Sequence, residues 1–200
     1  EYSDVEQSDR PFVLRVLTWV DGQLWSGYSP HNDDLLFSLG QQAARLDQVL
    51  VGFDHAEAQR EFDWDLAQSL WVKKHLDLFV AEHQNTLQYF IGLFERNLPE
   101  YQQLRQQVIH NDLNDNNVLV KNLDFDKPVV SGFIDFGDAI KSQLINEVAI
   151  TCAYAMMGKN DPLTAAKSII KGYHQVMPLE QDELPHLYHL IGMRLVVSVT

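Results

Sequence analysis

The sequence predicts an α+β fold in which helices dominate and a single strand-turn-strand unit interrupts them. Three observations carry this. Apolar residues recur every three or four positions through most of the chain. Short β-branched pieces cluster only between residues 108 and 134. One further run, FVLRVLTWV (12–20), is rich in β-branched and aromatic residues.

The run 12–20 ends at Asp21-Gly22, a turn signal, so it reads as a strand followed by a turn. Asn32, Asp33 and Asp34 then offer caps for a helix over 34–50, whose core stripe is Leu36, Leu39, Ala43, Leu46 and Leu50. Helical periodicity continues over 64–80 and over 86–97, where Pro99 is expected to stop it, and 100–107 reads as a short helix. From Val108 the pattern changes to a loop, a strand at 118–120, a turn and a return strand at 129–134. Helices resume at 146–157, 163–176 and from Glu183 onward.

Composition narrows the classes of partner. The 200 residues are 46% apolar, with ten Phe and four Trp, enough for a sizeable core. Fifteen basic side chains stand against 28 acidic ones, a net charge of −13, and no Lys/Arg cluster interrupts the acidic field. A nucleic-acid partner is therefore not expected; the acidic balance reads first as ordinary solubility and second as an acidic cleft that favours metal ions and amine-bearing substrates, and composition does not choose between them. The apolar stretch near 191–199 is broken by Gly192, Arg194 and Ser198, so no membrane span is expected. The single cysteine, Cys152, excludes an internal disulfide and reads as core packing in an apolar helix. With no secretory signal at Glu1, the expectation is a cytoplasmic protein. Oligomeric state is not legible.

The chemistry concentrates in VIHNDLNDNNVLV (108–120) and GFIDFGD (132–138). His110, Asp112 and Asn117 form H-x-D-x-x-x-x-N, and Asp135 follows in the context I-D-F-G. Phosphoryl transfer asks a protein to align the nucleophile and to neutralise phosphate charge. Asp112 suits the first task as the base that accepts a hydroxyl proton. The amide oxygen of Asn117 and the carboxylate of Asp135 are hard ligands for the Mg²⁺ that accompanies ATP. A hairpin between 118–120 and 129–134 brings 117 and 135 together. Gly137 is expected to permit a sharp turn, and Gly132 to mark a bulge or close contact. His110 reads as a structural support of the loop.

At these residues the chain resembles the aminoglycoside phosphotransferase and choline kinase superfamily, protein-kinase-like enzymes that phosphorylate small molecules. LTWVDG (17–22), LGQQAARLDQVL (39–50), REFDWDL (60–66) and 130–157 extend the similarity toward the hydroxylysine kinase branch. The resemblance implies that Asp112 is the catalytic base and that Asn117 and Asp135 hold the metal. It implies that residues 1–20 are the end of an N-terminal lobe and its hinge, with adenine bound near Leu17, Thr18 and Trp19. Residues 21–200 would be a helical C-terminal lobe. The family's phosphate-binding Lys should precede residue 12, so the chain reads as a piece of a longer protein. Asn111 stands where the family often has Gly, a mild change because Asn tolerates left-handed backbone.

The implied activity is ATP-dependent phosphorylation of a small hydroxylated amine such as hydroxylysine. An aminoglycoside or an ethanolamine- or choline-type acceptor is the alternative within the superfamily, and a non-catalytic nucleotide-binding module the alternative from another class. A protein substrate fits poorly, because helical pattern resumes soon after Gly137 and leaves little room for an activation segment. Trp64, Asp138, Glu147 and Tyr154 are the candidate substrate contacts, offering aromatic faces and carboxylates to an ammonium group. Three of them also have a plain reading, Trp64 and Tyr154 as core and Glu147 as a helix-dipole partner. His186 and His189 read as a surface pair, since no third ligand lies at metal-binding spacing.

Overall fold

The computed structural model describes residues 16–123 and 127–200. Helix α1 (Asp33–Leu50) starts as its cap residue predicts: Asn32 Oδ1 accepts from Leu35 N at 2.9 Å, with Asp33 and Asp34 in the first turn. Its inner face packs on α4 (Pro162–Val176) at backbone contact. A Cβ on Gly40 would lie 1.9 Å from Ile169 O, and one on Gly172 would lie 2.1 Å from Phe37 O, so both positions must be glycine. Leu36, Leu39 and Ala43 are core as expected, but Asp47 is buried while Leu46 and Leu50 are half-buried.

Helix α2 (Ala81–Tyr101) is longer than the sequence predicts and runs through Pro99. A proline in the final turn removes only one hydrogen bond of the ladder, and burial of Phe94 and Tyr101 carries the helix past it. The predicted helix over 64–80 is instead a run of 3₁₀ turns, Leu66–Leu78, opened by Asp65 accepting from Ala67 N. Helices α3 (Ile145–Ala155) and α5 (Leu187–Val199) complete the helical body, α3 being buried along nearly its whole length.

The strands frame two loops. β1 (Gln23–Leu24), β3 (Val118–Leu123) and β4 (Lys127–Phe133) form one antiparallel sheet in the order β1-β3-β4. β2 (Gln106–Ile109) pairs with β5 (Ile140–Gln143) in a second ladder, from Gln106 opposite Gln143 to Ile109 opposite Ile140. Segment 106–109 is thus a strand where the end of a short helix (to 107) and then a loop were expected, and β5 was not foreseen. Both are four residues long, too short to show a period, and the cross-strand partner decides them.

Two further expectations change. Residues 12–15 of the predicted first strand lie outside the described residues, and 16–20 form no strand; Val16, Leu17 and Trp19 are exposed. A strand needs a ladder partner, and 16–20 have none among the described residues. The bulge foreseen near Gly132 is present. Leu119 pairs with Gly132 and Val120 with Val130, leaving Ser131 as the extra residue.

Candidate active site

The two ladders hold two loops face to face. Residues 110–117 run from β2 to β3, residues 134–139 run from β4 to β5, and each ladder joins one end of each loop. Across the gap, Ile134 N donates to Asn117 O at 3.0 Å. His110 is a second tie. Its buried ring has Nδ1 accepting from Asp112 N at 3.3 Å, which leaves Nε2–H to donate to Ile134 O at 3.0 Å. The ring also packs on Phe136, with centroids 4.6 Å apart.

Asn111 takes the left-handed conformation, φ 66°. That turn aims its backbone N–H at Glu147 Oε2, 2.9 Å away beneath the loop. Asp112 is then held on both oxygens. Oδ2 accepts from Asn114 Nδ2 at 2.9 Å and from Asn117 Nδ2 at 2.8 Å, and Oδ1 accepts from Arg194 Nη2 at 2.9 Å. Burial pushes the Asp112 carboxyl above the ordinary range; Arg194 opposes that rise and the nearby charge of Asp138 adds to it.

The donor set around Asn117 and Asp135 fits a divalent cation. The Asn117 amide nitrogen is engaged by Asp112 O at 2.9 Å as well as by Asp112 Oδ2, which turns Oδ1 of Asn117 away from the loop. Asp135 is exposed, in a left-handed conformation at φ 60°, with Oδ1 accepting only from Gly137 N at 3.2 Å. The sharp bend therefore falls on Asp135 rather than on Gly137. The glycine's part is to leave room, since its Cβ would stand 3.1 Å from Asp135 Oδ1. One carboxylate and one amide oxygen suit Mg²⁺, which takes few protein ligands and fills its shell with phosphate and water.

Residues 2–184 match the phosphotransferase enzyme family. The chain belongs to that family. It is 31% identical over 194 residues to the hydroxylysine kinase of Xenopus laevis, an alignment that takes in 91% of this chain and 52% of that protein. With the hydroxylysine kinase of Danio rerio it is 29% identical, covering 94% and 54%. The chain spans about half the length of the curated relatives it matches. Among solved structures, a microcompartment-associated aminopropanol kinase superposes with a TM-score of 0.64 at 20% identity, covering 83% of this chain and 54% of that one. An amicoumacin kinase solved in complex with AMP-PNP, Ca²⁺ and Ami gives 0.58 at 18% identity, covering 84% and 50%. The fold is the α+β, protein-kinase-like fold of these phosphotransferases.

The H-x-D-x-x-x-x-N and I-D-F-G residues are brought together here, whereas the four candidate substrate contacts separate. Asp138 is half-buried on the turn beside Asp112. Glu147 is fully buried under the loop, where it meets Asn111 and not the cleft, so the substrate reading of it is withdrawn. Trp64 and Tyr154 do bind a cation, but an internal one. The Arg194 guanidinium lies 4.8 Å from the Trp64 ring centroid and 5.3 Å from that of Tyr154.

Arg194 is the site residue that sequence reading missed, noted only as a charge interrupting an apolar stretch. A lone charge inside an apolar helix is itself a signal, because such a group is buried only with a partner. His186 and His189 are also corrected. They are not a surface pair but buried, with Nδ1 of one 3.4 Å from Nε2 of the other, and burial holds both below the usual histidine range, His189 at about 4. Cys152 is buried in the core, as expected. Leu17, Thr18 and Trp19 line a mainly apolar cleft of about 390 Å³ with Leu119 and Ile134, next to Asp135. Among the described residues no helix is long and apolar enough to cross a membrane.

Proposed function

We propose that this chain forms the acceptor- and metal-binding half of an ATP-dependent kinase that phosphorylates the hydroxyl of a small amine-bearing metabolite, such as hydroxylysine. One observation carries the reading: Asp112 is fixed on both oxygens while Oδ1 of Asn117 and the Asp135 carboxylate are left open opposite it. Asp112 aligns the acceptor hydroxyl and accepts its proton as oxygen bonds to the γ-phosphorus. The bond from that phosphorus to the bridging oxygen breaks, and the products are a phosphate monoester and ADP. When bound, Mg·ATP supplies the electrophilic phosphoryl group and the charge that neutralises the departing phosphates.

Asn117 and Asp135 are the residues to hold the metal. Residues 1–20 are assigned to the end of an N-terminal lobe and its hinge and 21–200 to the C-terminal lobe, with adenine in the cleft at Leu17, Thr18 and Trp19. The acceptor class rests on likeness to the hydroxylysine kinases and on the acidic balance of the chain. Its ammonium group is received by Asp138 rather than by Trp64 and Tyr154, whose faces Arg194 occupies.

The test is ADP release by the full-length protein with Mg²⁺, run across hydroxyamino acids, amino alcohols and aminoglycosides. Turnover is expected with a hydroxyamino acid. Asp112→Asn should lower kcat by about a thousandfold. Its amide oxygen would stay with the two donors Asn114 Nδ2 and Asn117 Nδ2 while its amide nitrogen faces Arg194, so Mg·ATP affinity should be largely kept. An Asp112→Asn enzyme that turns over normally would overturn the mechanism.

A further inference from the structure

Arg194 comes from α5, 82 residues along the chain from Asp112, yet its side chain is 1% exposed and its guanidinium is used on every side. Nη2 donates to Asp112 Oδ1 at 2.9 Å, Nη1 to Trp64 O at 3.1 Å and Nε to Tyr154 Oη at 3.2 Å, while the Trp64 and Tyr154 rings cover its faces. Burying a guanidinium is costly unless a charge and several acceptors meet it, and among the described residues the only carboxylate it bonds is Asp112. The planar fork fits this task in a way a lysine ammonium does not. The turn at Trp64, α3 and α5 therefore meet at the guanidinium that bonds one oxygen of the 110–117 loop.

We propose that Arg194 is a positioning residue for phosphoryl transfer, a clamp that fixes Asp112 Oδ1 so that Oδ2 keeps the Asn114 and Asn117 amides in register. The proposal rests on the kinase reading above. The clamp acts in two directions. Toward the acceptor it sets the lone pair that meets the hydroxyl. Toward the metal it sets Asn117, because the amide nitrogen is held by Asp112 and the amide oxygen is thereby turned outward. Trp64 and Tyr154 in turn fix the guanidinium, and Tyr154 Oη is itself 3.2 Å from Ser198 Oγ one turn along α5.

The experiment compares Arg194→Met, Arg194→Lys and Arg194→Ala in the full-length protein, by steady-state kinetics and by ¹⁵N NMR of the Asn side-chain amides without ligand. Arg194→Met is expected to lower kcat by 10- to 100-fold while KM for the acceptor stays within about threefold, the pattern of lost transition-state alignment. The Asn114 and Asn117 amide signals should shift in the same variant. Arg194→Lys, which keeps the charge without the fork, should lose about tenfold, and guanidinium ion added to Arg194→Ala should restore activity several-fold. Unchanged amide signals, or equal kcat in Arg194→Lys and wild type, would overturn the clamp. Should Arg194→Met fail to fold, the lysine variant decides on the same two readouts. A wild-type protein that phosphorylates no acceptor would sink the kinase reading instead, and the amide signals would still judge the clamp.

Discussion

The two loops of the site are built on opposite plans. In the loop 110–117, His110, Asn111, Leu113 and Asn117 are buried, and Asp112 has every oxygen engaged by a neighbour from inside the protein. In the turn 134–139, Asp135, Phe136 and Gly137 are exposed, and most of the ties that hold it run to its backbone: Ile134 N donates to Asn117 O, His110 Nε2 to Ile134 O, Ala139 N to Phe136 O, Gly137 N to Asp135 Oδ1, and Arg60 Nη2 to Gly137 O at 2.9 Å. The difference teaches how the work divides. On the proposed reading, the loop that aligns an acceptor is preorganised, since misplacing a catalytic oxygen by about 1 Å forfeits much of the rate. On the same reading the metal draws one ligand, Asn117, from this closed loop and the other, Asp135, from the exposed turn.

Asp135→Ala gives the largest effect and tests the open side. It should lower kcat by about a thousandfold and raise the Mg²⁺ requirement, yet move the unfolding midpoint little, because an exposed carboxylate with one long hydrogen bond contributes little stability. A large loss of stability would place Asp135 in the fold rather than in metal binding. Glu147→Ala tests the closed side and should do the reverse. It leaves the buried Asn111 N–H without an acceptor and opens a cavity, together about 3 kcal/mol of stability by urea denaturation. A change under about 1 kcal/mol would mean that the loop does not depend on its support.

A third test reaches further below the loop. Asp47 is buried, Tyr173 Oη donates to its Oδ2, and burial together with the nearby Glu147 raises its carboxyl well above the ordinary range. Among the described residues, Asp47 Oδ1 and Glu147 Oε1 have no hydrogen-bond partner. A carboxyl with a raised native pKa binds its proton more tightly folded than unfolded. Its contribution to stability is therefore full at low pH and declines as pH rises from the ordinary carboxylate range to the native value. The slope from this one group is at most about 1.4 kcal/mol per pH unit. Asp47→Asn should flatten the fall of stability between pH 5 and 8, measured by denaturation at each pH; an unaltered slope would show that Asp47 is not the group responsible.

What the sequence revealed of this site follows from how local each feature is. Asp112, Asn117 and Asp135 were legible because their spacing and the hairpin between them are local, and the ladder from Val118 opposite Phe133 to Leu123 opposite Lys127 bears the hairpin out. Strands β2 and β5 were not, because two four-residue pieces gain their identity only from each other. The helix period exposed the core of α1, but the acid Asp47 on its buried face follows the position of Tyr173, 126 residues away. Trp64 and Tyr154 were read as contacts for a substrate ammonium, and the group on their faces is the Arg194 guanidinium. The cation proved to be internal, and only the packing of α5 reveals that.

The smallest effect sharpens the comparison most, since it concerns the one residue of the closed loop that is held at positive φ. Asn111 holds φ 66°, a conformation that costs an alanine about 1–2 kcal/mol and costs asparagine less. Its backbone N–H carries the bond to Glu147, and any residue supplies that N–H. Its side chain adds little: Nδ2 lies 3.5 Å from Trp64 O, at the limit of a hydrogen bond, and Oδ1 is buried without a partner among the described residues. Asn111→Gly should therefore change stability by less than about 1 kcal/mol, relief of the bend and of the orphaned oxygen offsetting the lost packing. Asn111→Ala keeps the bend without the asparagine's tolerance of it and should lose about 1–2 kcal/mol. Urea denaturation of the pair separates the two contributions. If glycine were the more damaging substitution, the asparagine side chain and its contact with Trp64 would be what closes this loop, and the closed side would depend on side-chain packing more than on backbone conformation.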